Sequence, residues 1–249
     1  MQLQHLLSST RRAIQDYNMI EEGDKIAIGI SGGKDSLILA LALSQLRRFY
    51  PKHFEVMGIT VSLGLKPFDL SGVKAYLETL KIPFEVCETV IGQIIFEERQ
   101  EKNPCSLCSK MRKGALYDYA KQRGCNKIAL GHNREDINET LLMSLFYEGR
   151  LHTMAPVTYM EQVGLEIIRP LIYTSEKDIR SFTKKEGLPV IKSPCPVDGM
   201  TKRESIKELL ATLGRENPKI ATNVFGAIAR SQLEGWENQG GNRHVQLPR

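Results

Sequence analysis

Apolar positions fall into two alternating periods along the chain. Short apolar runs read as buried strands at Ile26–Ile30, Phe54–Leu63, Pro83–Glu88, Lys127–His132 and Ile167–Leu171. Between them lie longer stretches with helical spacing. Residues 6–20 place Leu6, Leu7, Ala13, Ile14 and Tyr17 on one face. Further helices are predicted from Leu37 to about Phe49, from Leu70 to Leu80 with a cap at Ser71, and from Asn103 to about Arg123 with Gly124 as cap. Two more run from Asn133 to about Tyr147 and from Ser175 to Glu186. In the last, Ser175 and Asp178 form an acidic relative of a capping box, and Gly187 closes the helix. Residues 149–166 read as a crossover loop with little regular structure, and Pro189-Val190-Ile191 as a short extended segment. Two helices near 202–213 and 217–234 complete the chain.

A βαβαβ order implies an α/β architecture: a parallel sheet, five-stranded by the runs above, with helices on both faces. The expected organisation is one domain over 1–234. It divides into an N-terminal helix (1–22), an α/β core (23–192) and C-terminal helices (193–234). The tail 235–249, with Gln239-Gly240-Gly241-Asn242, is expected to be disordered.

Composition adds little beyond this. The chain has 249 residues, 41% hydrophobic and 25% charged, as an ordinary globular protein does. No apolar run approaches a membrane span, and Met1-Gln2-Leu3-Gln4-His5 does not open a secretory signal, so no membrane association and a cytoplasmic location are expected. The net charge of +5 permits a nucleic-acid partner. Basic residues group at Arg11-Arg12, Arg47-Arg48, Lys110 to Lys113, Lys184-Lys185 and Lys202-Arg203. On charge alone a solvated surface explains them.

The chemistry concentrates after the first strand, in Ser31-Gly32-Gly33-Lys34-Asp35-Ser36. Gly32 and Gly33 let backbone N–H groups approach a phosphate closely. The following helix adds the positive end of its dipole. Lys34 supplies a point charge, and Asp35 can hold a magnesium ion. A Walker A loop would need Gly at the position of Ile28 and Ser or Thr at that of Asp35, and both fail. Gly131, His132 and Asp136 follow another strand end. Ligands of open parallel sheets sit outside the carboxyl ends of the strands, which brings Lys34, Asp35, His132 and Asp136 to one crevice. Taken alone, His132 reads equally as a phosphate contact or a satisfied polar residue, and Asp136 as a complement to a helix dipole.

Five cysteines do not make a disulfide framework in a cytosolic protein. Cys87 and Cys125 fit as small buried hydrophobes. Cys105 and Cys108 form a C-x-x-C at a helix start, where thiolates form readily. Three readings stand side by side: a zinc site lacking its second cysteine pair, a redox pair, or an iron–sulfur cluster with Cys195 as the third ligand.

Ser31–Ser36 resembles the PP-loop of ATP pyrophosphatases, which split ATP between the α- and β-phosphates. Asn18–Asp24, Cys105-Ser106-Leu107-Cys108, Leu130-Gly131-His132 with Asp136, Ile168-Arg169-Pro170-Leu171 and Cys195 occur in this order too. Together they resemble the tRNA 2-thiocytidine synthetase family from about residue 3 to 230. The resemblance implies an adenine-nucleotide α-hydrolase-like (Rossmann-like) fold and ATP-dependent thiolation of tRNA, with cytidine 32 as the base. It implies ATP held by Ser31 to Ser36 together with Gly131, His132 and Asp136, and magnesium on Asp35. It further implies a 4Fe–4S cluster on Cys105, Cys108 and Cys195, with Lys34, Asp35 and the three cysteines as catalytic residues. A sulfur donor (a cysteine desulfurase or sulfide) and a homodimer are also implied. The sequence departs from the family at Asn133, where a second His is common, and at Glu135, where Asp is. A second cysteine near Cys195 is replaced by Pro196-Val197-Asp198, as in the related tRNA 2-thiouridine synthetases. tRNA 2-thiouridine synthesis, lysidine synthetases and ATP-binding regulatory modules of the same superclass are the other readings; the last two do not need the three cysteines.

Overall fold

The structure, a computed structural model, describes residues 1–65, 69–99, 104–191 and 202–237. Cys195 and residues 238–249 lie outside the described residues.

Helix α1 (Leu3–Asp16) leads into β1 (Asp24–Gly29), α2 (Lys34–Leu46), β2 (Phe54–Val61), α3 (Ser71–Thr79) and β3 (Phe84–Cys87). A π-helical segment (Gln93–Glu98) precedes α4 (Pro104–Gln122). Then come β4 (Lys127–Ala129), α5 (Arg134–Glu148), β5 (Val157–Met160), β6 (Leu165–Ile168), α6 (Glu176–Glu186), α7 (Lys202–Glu216) and α8 (Ile220–Ala229).

The described strands form one six-stranded sheet in the order β3-β2-β1-β4-β6-β5. All neighbours are parallel except the antiparallel β5–β6 pair. From β1 the chain builds outward through β2 to β3 and then crosses back to β4 on the other side, paired with β1 at Ile28 and Ala129, so the switch point lies between the carboxyl ends of β1 and β4.

Strand alternation sorts the core. Ile26 and Ile28 of β1 face the layer built by α1, α2, α6 and α8, while Ala27 faces Leu116 and Tyr117 of α4. Cys87 and Cys125 are buried as expected, and burial pushes both thiols up.

Three expectations need correction. The segment 149–166, read as a loop, contributes β5 and the start of β6, closed by a turn at Gly164 (φ +66°). β5 is a half-exposed edge strand with Tyr159 facing out, so it lacks the apolar run that marks a buried strand. Ser71 is not a side-chain cap; it begins α3, and its N–H donates to Asp69 Oδ1 at 2.8 Å. The tail does not start at Gly235. Trp236 is 1% exposed and meets Tyr17 and Phe225 edge-on, with ring centroids 5.8 and 5.7 Å away. Among the described residues, no helix is long and apolar enough to cross a membrane.

Candidate active site

α2 begins at Lys34, three residues earlier than its apolar pattern suggests, so Lys34, Asp35 and Ser36 form its first turn. The loop before it is braced internally. Ser36 Oγ accepts from the Ser31 N–H and the Ser31 hydroxyl, both at 3.3 Å, and donates to the Gly33 carbonyl at 2.9 Å. Ser31 Oγ accepts the Gly33 N–H at 3.2 Å. Gly32 sits at φ +78°, and a Cβ there would meet the Ile191 side chain at 3.3 Å. The Ile191 N–H donates to the Gly32 carbonyl at 2.9 Å, so the segment expected to be extended buttresses the loop. The result is a rigid glycine turn at a helix N-terminus, the arrangement that binds phosphate.

The turn after β4 closes the site from the other side. Gly131 passes the first turn of α2 with no room for a side chain. Asn133 caps α5: its Oδ1 accepts the N–H groups of Glu135 and Asp136, and Asp136 Oδ2 accepts the Asn133 N–H at 2.9 Å. The same Asn133 donates from Nδ2 to Asp35 Oδ1 at 3.0 Å. The other oxygen, Asp35 Oδ2, accepts from Lys34 Nζ at 2.9 Å. Lys34 also meets Glu176 Oε1 at 3.1 Å.

His132 is half-buried, with Nδ1 enclosed and without a protein partner. Burial, reinforced by the charges of Arg169, Arg203 and Lys113, drives its pKa down to about 3, so the ring is neutral at physiological pH. Burial raises the Asp136 carboxyl; the Asn133 N–H and the Arg203 charge oppose this, and the charge of Asp35 adds to it. Arg203 of α7 reaches Glu139 Oε2 at 3.2 Å and Asp136 Oδ1 at 3.8 Å. Even so, burial and Asp136 lift Glu139 to about 7.

These groups face a cavity of about 480 Å³. Ser31, Asp35, Ser36, Gly131, His132 and Asp136 line one side. Cys105, Cys108, Arg112 and Lys113, all from α4, line the other. Gly32, Gly33 and Lys34 lie on the loop but outside the cavity lining, and the Lys34 side chain turns to Glu176. Cys105 is exposed and Cys108 is 9% exposed, one helical turn apart at the start of α4.

Glu176 was not singled out from sequence; Asn133 was marked only as a departure from the family, and Arg112 and Lys113 only as part of a basic group, none of them as site residues. Arg112 had a usable signal, lying seven and four residues after Cys105 and Cys108 and so on the same helix face. Glu176 had none, since its partner is 142 positions away in the chain (176 − 34).

The residues fit a nucleotide: the helix N-terminus at Asp35 and Ser36 and an orphaned histidine nitrogen line one cavity, and the positive-φ Gly32 and Lys34 belong to the same loop beside it. The cysteine pair fits two thiolate ligands of a cluster, both on the cavity wall; the third cysteine lies outside the described residues. No group of three His, Cys, Asp or Glu able to hold a metal occurs among the described residues.

Sheet order and loop together define a PP-loop protein, and the family model described as a PP-loop domain matches residues 4–213. Curated relatives from Geobacter metallireducens (39% identical over 224 residues, 89% of this chain and 87% of theirs) and Pelobacter propionicus (40% over 221 residues, 88% and 82%) are tRNA-cytidine(32) 2-sulfurtransferases. The chain belongs to the tRNA-cytidine(32) 2-sulfurtransferase family, as its motifs led us to expect, and so to a family of enzymes. Among solved structures, the fold matches the U34-tRNA thiolase NcsA from Methanococcus maripaludis with its 4Fe–4S cluster (TM-score 0.74, 21% identity, 91% of this chain and 80% of that one).

Proposed function

We propose that this chain thiolates cytidine 32 of tRNA: it uses ATP to adenylate the C2 oxygen and replaces that oxygen with sulfur. The observation that carries the reading is that the phosphate loop and the C-x-x-C pair open on one cavity. An amide-like C2 oxygen is a poor leaving group; AMP is a good one. The loop Ser31 to Ser36 and the N-terminus of α2 hold the phosphates, and Lys34 neutralises the departing pyrophosphate; Asp35 would hold magnesium, which would supply further positive charge there. Gly131, His132 and Asp136 complete the nucleotide's walls. Neutral His132 offers its Nδ1 to nucleotide or base without competing for the phosphate charge. Sulfide adds at C2, AMP leaves with the former C2 oxygen, and one proton is released to restore the thiocarbonyl.

Cys105, Cys108 and Cys195 would hold a 4Fe–4S cluster, which with only three cysteine ligands would supply a binding place for sulfide. Exposed Arg112 and Lys113 at the cavity wall suit the phosphate backbone of an incoming anticodon loop. On this reading the protein works in the cytoplasm as a homodimer, with a cysteine desulfurase or sulfide as donor.

The test is an anaerobic assay of the iron-reconstituted protein with ATP, magnesium, sulfide and a tRNA transcript. We expect AMP, pyrophosphate and 2-thiocytidine to form in equal amounts at position 32. A transcript with uridine at 32 tests the 2-thiouridine alternative: equal thiolation of it would remove the base assignment and leave the reaction class.

A further inference from the structure

Glu176, the first residue of α6, is held by more contacts than a helix start requires. Ser175 caps the helix by accepting the Asp178 N–H at 3.1 Å. The Glu176 N–H donates to Glu135 Oε2 at 2.7 Å, and the Arg134 N–H donates to the Thr174 carbonyl at 3.1 Å. The turn is thereby stitched to the start of α5, next to the Asn133 that holds Asp35. One oxygen of Glu176, Oε1, then meets three cations: Lys34 at 3.1 Å, Arg180 at 3.2 Å and Lys207 of α7 at 3.3 Å. Burial alone would raise this carboxyl, but the cations, Lys34 foremost, bring it down to about 2. It is therefore an anion at every physiological pH.

Lys34 is consequently shared. Its ammonium lies between Asp35 Oδ2 (2.9 Å) and Glu176 Oε1 (3.1 Å). A lysine on a flexible four-carbon stem beside one carboxylate would close onto it. Asp35, the residue assigned to magnesium, would then be neutralised by its own neighbour. The second acid divides that pairing: Lys34 keeps its bond to Asp35 Oδ2 but is also held by Glu176. When Lys34 moves to a phosphate, Glu176 keeps Arg180 and Lys207, so the transfer strands no buried charge.

We propose that Glu176 is a positioning residue of the reaction: it shares the Lys34 ammonium with Asp35, so that Lys34 is not committed to Asp35 alone, and releases it to the ATP phosphates, with Arg180 and Lys207 as the counter-ions that stay. The inference rests on the reading of the loop as an ATP site.

The test is a double-mutant cycle of Glu176→Gln and Lys34→Ala. ATP affinity is measured by calorimetry, and pyrophosphate release with tRNA under single-turnover conditions, with thermal unfolding as the folding control. For Glu176→Gln we expect folded protein, ATP affinity within about threefold of wild type, and pyrophosphate release slowed roughly ten- to a hundredfold, the size of one charge-assisted hydrogen bond. In the Lys34→Ala background the same change should cost less than about threefold, since its partner is gone. An equal loss in both backgrounds would overturn the inference, as would weakened ATP binding with an unchanged rate. If Glu176→Gln does not fold, Glu176→Asp enters the cycle under the same criterion, its charge withdrawn by one methylene. Wild-type protein that binds no ATP would overturn the nucleotide reading itself, a result distinct from an additive cycle.

Discussion

A β-carbon on Gly131 would lie 2.9 Å from the carbonyl carbon of Asp35 and 3.1 Å from the amide nitrogen of Ser36. The turn after β4 and the first turn of α2 are thus in backbone contact, and that contact sets the floor of the cavity. Neither side is a flexible side chain, so neither can yield. Gly131→Ala should destabilise the fold by about 1–3 kcal/mol in urea denaturation and weaken ATP binding in calorimetry. Gly114 is the internal control. It lies within α4 with open space around it, and Gly114→Ala should instead stabilise by about 0.5–1 kcal/mol. Equal effects at the two glycines would refute the close-approach argument.

The alternation of apolar runs and helical stretches in the sequence already located the parallel core, because strands buried on both faces are nearly all apolar. The same logic missed β5, whose Tyr159 and Thr158 face partly outward at the sheet edge. The loop Ser31–Ser36 and the residues 131–136 were legible because each is a local pattern at a strand end. Glu176 was not, since nothing near it in sequence marks the lysine it meets. Asn133 looked like a departure from the family; in the fold it caps α5 and holds Asp35 with one side chain. Trp236 was set aside with a polar, glycine-rich tail, and only its burial against Tyr17 and Phe225 reveals it as core.

Glu139 makes stability depend on pH. Burial and the charge of Asp136 lift its carboxyl from 4.5 to about 7, against the pull of Arg203. Above pH 4.5 the unfolded chain gives up this proton while the folded chain keeps it. The stabilisation is therefore full below that pH and is lost as pH rises through about 7. Glu139→Gln should match wild type near pH 5 and exceed it at pH 8 by on the order of 1–2 kcal/mol, after allowing for screening by the Arg203 pair. Urea midpoints at the two pH values check this. A difference that does not grow with pH would show that Arg203 compensates the buried charge fully.

Trp236 is the only tryptophan in the chain, which makes its packing directly visible. Trp236→Ala should cost about 3–5 kcal/mol in denaturant unfolding. In wild type, the fluorescence maximum should be blue-shifted and should move red in the same transition as the circular dichroism. A red-shifted maximum in the native protein would contradict the burial.

The cysteine pair predicts a metal-dependent spectrum separable from ATP chemistry. Anaerobically reconstituted protein should show iron-linked visible absorbance, lost in Cys108→Ser and retained in Asp35→Ala. Absorbance missing from wild type would contradict the cluster and redirect the sulfur chemistry to a persulfide or disulfide on the same cysteines. Loss in Asp35→Ala as well would point to a folding defect.

The central claim, that the phosphate loop and the cysteines of one cavity together thiolate a tRNA base, is tested most directly by nucleoside analysis of tRNA from a strain lacking the gene. Mass spectrometry should find 2-thiocytidine absent. The wild-type gene should restore it; Asp35→Ala and Cys105→Ser should not. Unchanged 2-thiocytidine and 2-thiouridine in the deletion strain would contradict the account.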